Sequence, residues 1–276
     1  MKLNGNNFLE EIQFHLIAFL KIVKLSLKHR KVVMAKFLIC ILLLSSFTLA
    51  NNNSYAQKID IGSWNILNVK MNVTQQWSMF GEAQVRSLKF YNNFHYYEYK
   101  AGVNYKIHKN AVVSLGAGSY QTFKEGGNFK TPKNNDEFRI WPQVVLSQSF
   151  SKLKIEQRYR AEFRFTSNGY RNRFRYRLGV LHPFGKKKND YFPFLVSLSN
   201  EVFFTDNEPY FERNRIQLAF NYKPSLNTTL HLGYLHQFDY KINDETGRDF
   251  LQVGLFIEFF NKKSNKQNAN IEIKDN

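Results

Sequence analysis

Apolar and polar side chains alternate along the chain between Lys58 and Phe260, and no helical period of 3.6 residues replaces this alternation. Tyr159 and Phe163, for example, share one face of a segment whose alternate positions are charged. Turn residues interrupt the alternation at short, even intervals. The pattern predicts eleven β-strands, at 59–73, 76–90, 94–107, 111–124, 136–150, 152–165, 171–184, 191–206, 211–224, 228–241 and 248–260.

The predicted strands are long, at roughly 13 to 16 residues, whereas strands in soluble proteins have about 5–6 and strands that cross a membrane need about 9–11. Long strands with one apolar and one polar face are typical of outer-membrane barrels. An open sheet edge in hydrocarbon would leave backbone groups without partners, so the sheet must close. The sequence therefore predicts an all-β fold, a transmembrane antiparallel up-and-down β-barrel. Because single-chain bacterial barrels usually have an even number of strands, we expect about 10–12, with twelve preferred to ten.

The connections between the predicted strands alternate in length. The long ones are 125–135, 166–170, 207–210 and 242–247. Long loops of outer-membrane barrels usually face the cell exterior and short turns face the periplasm. This rule predicts that the four long connections are extracellular, although the turn at 185–190 is long for a periplasmic one.

Residues 1–56 are typical of an N-terminal extension followed by a helical signal peptide. The apolar run at 37–50 has about 14 residues, which is short of the roughly 20 that a membrane-spanning helix needs. Ser54 and Ala56 place small residues at the −3 and −1 positions of a cleavage site, so we expect cleavage after Ala56. Met34 alone begins a conventional signal peptide and is the preferred translation start; an extended signal segment or an inner-membrane anchor is the alternative.

The last predicted strand carries an alternating apolar series that ends in two aromatic residues. This series resembles the terminal-strand signal that the outer-membrane assembly machinery reads. Its residues are Val253, Leu255, Ile257, Phe259 and Phe260. The polar stretch 261–276 follows and is predicted to be a disordered tail. The barrel domain is therefore 57–260, located in the outer membrane of a Gram-negative cell envelope, with outer-membrane lipid, lipopolysaccharide and the assembly machinery as its partners.

Charge narrows the range of partners. The chain has 39 Lys and Arg, 22 Asp and Glu and a net charge of +17. Residues 1–56 hold seven basic and two acidic side chains, so the mature part keeps +12. Such an excess suits nucleic acid, anionic lipid or an anionic solute. Export argues against a nucleic-acid partner. Since Cys40 lies in the apolar run, the mature part has no disulfide and no cysteine metal site.

Three stretches carry a family resemblance. The mature N-terminus contains Asp60-Ile61-Gly62-Ser63-Trp64, the next hairpin contains Trp77, Glu82, Gln84 and Arg86, and an arginine-rich hairpin runs from Glu156 to Arg177. Together they resemble domain-of-unknown-function family 2490, a group of exported bacterial proteins. The resemblance covers 57–260. It implies an outer-membrane barrel without a known activity and assigns no catalytic residue.

The strongest local feature is a set of charged residues on one face of neighbouring strands, here called the arginine ladder. Its members are Glu156, Arg158, Arg160, Glu162, Arg164, Arg171, Arg173, Arg175, Arg177 and Arg215. Each arginine would cost roughly 2–4 kcal/mol at a lipid-facing position in the middle of the membrane, so the ladder must face the lumen or the rim. The preferred interpretation is a lumen sealed by Arg–Glu pairing across strands. The alternatives are an anion-attracting pore or anion-binding site, and a rim site for lipopolysaccharide phosphate.

Catalysis is the competing hypothesis, because some small barrels are lipid-modifying hydrolases or acyltransferases. A Ser–His mechanism also needs an orienting acid or amide, and His95 with Glu98 is the nearest arrangement in the sequence. Their spacing does not specify such a site, so we predict no catalytic residue, no cofactor and no metal. His231 and His236 fall on opposite faces of one strand and cannot share a metal ion.

Two further interpretations concern aromatic residues and glycines. Seven aromatic residues near predicted strand ends are predicted to form an interfacial aromatic girdle, with stacking on a ligand as the alternative. They are Trp64, Trp77, Trp141, Tyr96, Tyr97, Tyr99 and Tyr191. Gly116 and Gly118 lie inside an alternating strand and are predicted to mark a kink or a bulge.

Overall fold

The computed structural model describes residues 60–188, 191–240, 242 and 245–260. These residues form one closed barrel in which each strand pairs antiparallel with its neighbours in the sequence. The strands are β1 (Ile61–Asn72), β2 (Trp77–Lys89), β3 (Asn92–His108), β4 (Ala111–Lys124), β5 (Lys130–Phe150), β6 (Leu153–Thr166), β7 (Gly169–Phe184), β8 (Phe194–Thr205), β9 (Phe211–Ser225), β10 (Thr228–Asp239) and β11 (Thr246–Phe260). The predicted barrel fold is confirmed. The signal segment 1–56 and the tail 261–276 lie outside the described residues.

The number of strands is eleven, so the expectation of an even number, and of twelve in particular, is wrong. An up-and-down barrel with an odd number of strands must join its first and last strands in the same direction. β1 and β11 do pair in parallel, with Ile61 opposite Asp249 and Asn72 opposite Phe260. A parallel ladder also gives the backbone N–H and C=O groups their partners, so it removes both sheet edges. Closure therefore needs no even number.

The outer surface carries the apolar face of every strand. These side chains are large and exposed, the reverse of their position in a soluble protein. One example from each strand in order is Leu67, Met79, Val103, Leu115, Val144, Phe163, Phe174, Leu198, Leu218, Leu232 and Val253. Because side chains alternate along a strand, the polar positions between them point into the barrel.

The connections divide between two ends of the barrel. The upper end carries 90–91, 125–129, 167–168, 206–210 and 240–245, and the lower end carries the others. The predicted long connections 125–135 and 166–170 are shorter than expected because β5 and β7 begin earlier. The longest connection between strands is 185–193, at the lower end. Length therefore supports the predicted orientation less clearly than the sequence suggested. No helix in the described ranges is long and apolar enough to cross a membrane.

Val253, Leu255, Ile257 and Phe259 of the terminal series of β11 lie on the outer face, and Phe260 has the opposite strand phase. Val253 and Phe259 are exposed there, and Leu255 pairs with Leu67 of β1 and with Leu230 of β10. The series thus sits beside the seam that closes the barrel. Its recognition by the assembly machinery stays a prediction.

Candidate functional site

The β6–β7 hairpin carries nine of the ten residues of the arginine ladder on the inner surface, and Arg215 belongs to β9. Three of its cross-strand pairs are arginine opposite arginine: Arg158 with Arg177, Arg160 with Arg175 and Arg164 with Arg171. Like charges directly opposite each other are destabilising. The hairpin therefore depends on carboxylates within its own strands and on neighbouring ones.

Glu162 is the central carboxylate of this arrangement and is 1% exposed. Arg173, opposite it on β7, donates from Nε at 2.8 Å and from Nη2 at 2.5 Å to Oε2. Arg175 donates from Nη1 to Oε1 at 2.6 Å. Arg160 and Arg139 approach at 3.5 and 3.9 Å. One buried carboxylate thus holds guanidinium groups from three strands.

Three more carboxylates complete the network, and the sequence analysis did not select them. Glu137 of β5 accepts hydrogen bonds from Arg139 and Arg164. Glu201 of β8 accepts from Arg158 at 2.6 Å and from Arg175 at 3.0 Å. Glu212 of β9 accepts from Arg173 at 3.2 Å. Charge-assisted bonds of this kind are among the strongest in proteins.

Phe203 of β8 is fully buried among guanidinium groups, with 0% exposure. The guanidinium carbons of Arg175 and Arg215 lie 4.5 and 4.8 Å from its ring centroid. Those of Arg173 and Arg213 lie at 5.3 and 5.7 Å. Cation–π contacts at these distances are attractive. The aromatic ring therefore contributes an attractive contact to four like charges in the barrel interior.

Four of the seven aromatic residues predicted to form a girdle are buried, so that prediction is wrong for them: Trp64, Trp141, Tyr96 and Tyr191. Trp64 is 5% exposed and Trp141 is 1% exposed, whereas Trp77 is 49% exposed. The guanidinium of Arg86 lies 3.5 Å from the Trp64 ring. Gly116 marks no bulge: it pairs with Trp141, and a Cβ there would lie 2.4 Å from that ring. The glycine makes room for the indole.

Not every member of the arginine ladder has an ionic partner. Arg215 donates to the neutral Gln237 at 2.8 Å, and Glu156 pairs with Lys154 at 2.7 Å. Arg171, which is exposed, and Arg177, which is partly buried, have no hydrogen bond to any described residue. Arg171 and Arg177 thus differ from the ion-paired members of the ladder, because they have no hydrogen-bond partner among the described residues.

The interior contains a cavity of about 1360 Å³. Its lining runs from upper-end residues such as Asn168 and Pro209 down to the level of Lys223 and Phe256. Fourteen cationic and nine anionic side chains line it. The lining therefore carries five more cationic than anionic side chains.

The upper rim is tied together by polar contacts. Arg248 of β11 donates to Glu125 in the β4–β5 connection at 2.7 Å. Asn172 of β7 donates its side-chain amide to Asp206 in the β8–β9 connection at 2.7 Å. This hydrogen bond holds the pKa of Asp206 below its ordinary value. The first contact joins strands far apart in the sequence, and the second ties β7 to the residue that follows its neighbour β8.

Comparison with known proteins assigns a family. A family described as a protein of unknown function, DUF2490, matches residues 61–248. The chain belongs to DUF2490. No curated protein matches it. An anion-selective porin from Comamonas acidovorans has a similar structure, with 13% identity, a TM-score of 0.33 and 65% of this chain covered; the chain spans 55% of that porin.

Among the described residues of the DUF2490 barrel, His95 and Glu98 make no hydrogen bond to each other. The carboxylate of Glu98 accepts hydrogen bonds from Tyr96 and Arg86 and pairs with Lys100 at 2.6 Å. His95 is buried and its Nδ1 has no partner, so it is not oriented by Glu98. Among the residues with described positions, no group of three His, Cys, Asp or Glu is suited to a metal ion.

Proposed function

We propose that this DUF2490 protein is a non-enzymatic outer-membrane barrel whose lumen is largely closed by arginine–glutamate pairing, and that its role is structural or binding. Glu162 carries the proposal. A carboxylate with four guanidinium groups around it and 1% exposure fixes the side chains of three strands in the lumen. A buried charge keeps its position because separating it from its partners is costly.

The outer surface supports the membrane location. Exposed apolar side chains occur on all eleven strands, so a contiguous band of hydrocarbon-compatible surface encircles the barrel. In water such a band would be a large unfavourable apolar patch. Outer-membrane lipid is the environment that stabilises it.

The test is single-channel conductance of the refolded protein in a planar bilayer. We expect low conductance, with little change when Arg173 and Arg175 are both replaced by Glu, together with reduced stability of that variant. An open lumen would give a different result. A large, clearly anion-selective conductance whose selectivity those two substitutions invert would refute closure and favour conduction.

A second candidate function is a narrow anion-preferring pore. The cavity and the excess of cationic over anionic lining residues favour it. The reversal potential across a salt gradient separates the two candidates. A closed barrel gives no stable reversal potential to measure. A narrow anion-preferring pore gives a reversal potential shifted toward the equilibrium potential of the anion, and a change of charge at Arg173 alters it.

A further inference from the structure

The two ends of the barrel differ in charge. The connections at the lower end carry five lysines and one aspartate, whereas those at the upper end carry one lysine and five acidic residues. The charged residues of the lower connections are Lys109, Lys152, Lys186, Lys187, Lys188 and Asp190. Three of these lysines are consecutive in the connection between β7 and β8. Charge gathered at one end of a molecule attracts partners of the opposite charge to that end.

The connection between β7 and β8 is folded against the end of β9. The backbone N–H of Lys188 donates to the carbonyl of Tyr191 at 2.8 Å, and the N–H of Tyr191 donates back at 3.1 Å. The Tyr191 side chain is buried, and its hydroxyl donates to the carbonyl of Pro224 at 3.2 Å. The N–H of Lys223 donates to the carbonyl of Pro193 at 2.7 Å. These contacts fix the backbone that carries the three lysines.

Phe192 brings lysines from two connections together. The Nζ atoms of Lys187 and of Lys152, in the β5–β6 turn, lie 5.5 and 5.8 Å from the centroid of its ring. Cation–π contacts at these distances are attractive, but the two ammonium groups repel each other. We call Lys152, Lys186, Lys187 and Lys188, together with Phe192, the lysine corner. Its four lysines are exposed, and none makes an ion pair with a carboxylate of the described residues.

An aromatic cluster on the outer face adjoins the lysine corner. The Phe194 ring stacks on Phe184 with 5.7 Å between the centroids and on Tyr222 with 5.4 Å, and Phe220 lies 5.9 Å away. Phe184 ends β7 and Phe194 begins β8, so the connection that carries the three lysines starts and finishes in this cluster. Aromatic residues on the outer face near strand ends are typical of the membrane–water interface. The lysine corner therefore lies at the level of the lipid headgroups.

We propose that the lysine corner binds the phosphate of an anionic glycerophospholipid, of the class of phosphatidylglycerol, whose acyl chains lie against the aromatic cluster. Lysines beside a membrane surface attract anionic lipid, and their apolar stems extend along apolar surface while the ammonium groups reach the headgroups. The inference rests on the proposed membrane location and adds a lipid class to it. The lower end is the one predicted to face the periplasm, so the lipid belongs to the inner leaflet.

The test is native mass spectrometry of the refolded full chain, released from detergent micelles that contain phosphatidylglycerol or zwitterionic phosphatidylcholine. The parent protein should retain phosphatidylglycerol in preference. The double variant Lys152→Gln and Lys187→Gln removes both charges at Phe192. In a lipid titration its apparent dissociation constant for phosphatidylglycerol should rise about tenfold or more, because each lysine near an anionic surface contributes separately. Replacing the same two lysines with Arg keeps the charge and should preserve most of the affinity.

Matched controls separate the lysine corner from the charge of the whole protein. Lys124 and Lys130 are exposed and lie opposite each other at the upper end of the β4–β5 hairpin. The double variant Lys124→Gln and Lys130→Gln removes the same amount of charge there and should bind phosphatidylglycerol like the parent. Lys186→Gln with Lys188→Gln leaves the contacts of Phe192 in place and should also weaken binding. Gel migration of unheated samples shows that each variant is folded.

Four results would overturn the proposal: equal retention of the two lipids by the parent protein, an unchanged affinity in Lys152→Gln with Lys187→Gln, equal weakening in the upper-end control, or displacement of the lipid by an equal concentration of free glycerol phosphate. Retention of lipid A in preference to phosphatidylglycerol would overturn the assignment to a glycerophospholipid. If the barrel inserts into phosphatidylcholine vesicles but shows no preference for phosphatidylglycerol, the proposed membrane location stands and this inference alone fails.

Discussion

Replacing Glu162 with Gln should destabilise the barrel by about 3 kcal/mol. The substitution keeps the shape of the side chain but removes the charge that holds Arg173 and Arg175, whose side chains are 3% and 11% exposed. Removing one partner of a buried ion pair costs roughly 3–5 kcal/mol. We expect the lower end of that range because Arg173 keeps Glu212 and Arg175 keeps Glu201.

The assay is a urea titration of the protein folded in phospholipid vesicles, followed by tryptophan fluorescence and by the gel migration of unheated samples. Glu156→Gln is the matched control. It removes a carboxylate of the same hairpin whose partner is Lys154, with side chains 23% and 20% exposed. A more exposed pair of this kind contributes about 1 kcal/mol or less, so the control should change the free energy of unfolding little.

A second substitution checks the cause. Adding Arg173→Met to Glu162→Gln removes a cation that the first change leaves without its main partner, so part of the lost stability should return. Two results would contradict this reasoning. One is a loss of stability in Glu162→Gln no larger than that in Glu156→Gln. The other is a double variant that is less stable than Glu162→Gln by the full cost of Arg173→Met measured alone; either would show that the Glu162 carboxylate does not hold the lumen together.

The remaining predictions concern the membrane, the orientation and processing. Leu218→Arg, on the outer face of β9, should cost roughly 2–4 kcal/mol in vesicles, whereas Gln217→Arg on the inner face should cost less; equal losses would contradict the assignment of faces. Epitope tags within 206–210 should react with antibody on intact cells and a tag after Asn276 should not, and the reverse pattern would invert the orientation. N-terminal sequencing of membrane-extracted protein should begin at Gln57, and a start before Phe37 would exclude a cleaved signal peptide.

Most of the strand boundaries could be predicted because the two-residue period is a local property of the sequence. The predicted limits of 111–124 coincide with β4, and those of 211–224 stop one residue before the end of β9. The alternation also predicted eleven strands, which is the number observed. The expectation of an even number then favoured ten or twelve in place of this correct count. That expectation describes how most bacterial barrels are built and is not a physical requirement, as the parallel pairing of β1 and β11 shows.

The sequence alone identified the arginines of the site but not three of their carboxylate partners. All members of the arginine ladder except Arg215 belong to one hairpin, so the alternation was enough to group them. Its carboxylate partners Glu137, Glu201 and Glu212 come from other strands, and pairing them requires the register around the barrel. A usable signal existed for Trp141, which shares its strand phase with Glu137 and Arg139, and that phase places the indole inside.

Because β1 pairs with β11, closure of the barrel depends on the whole chain between these two strands. β1 is synthesised first of the strands, and its partner at the seam is β11, the last strand of the described residues. β11 supplies the twelve register partners of β1, from Asp249 to Phe260. A chain that stops early, even by one hairpin, leaves β1 with an unpaired backbone edge that hydrocarbon does not tolerate. A chain cut before β11 should therefore fail to close into this barrel.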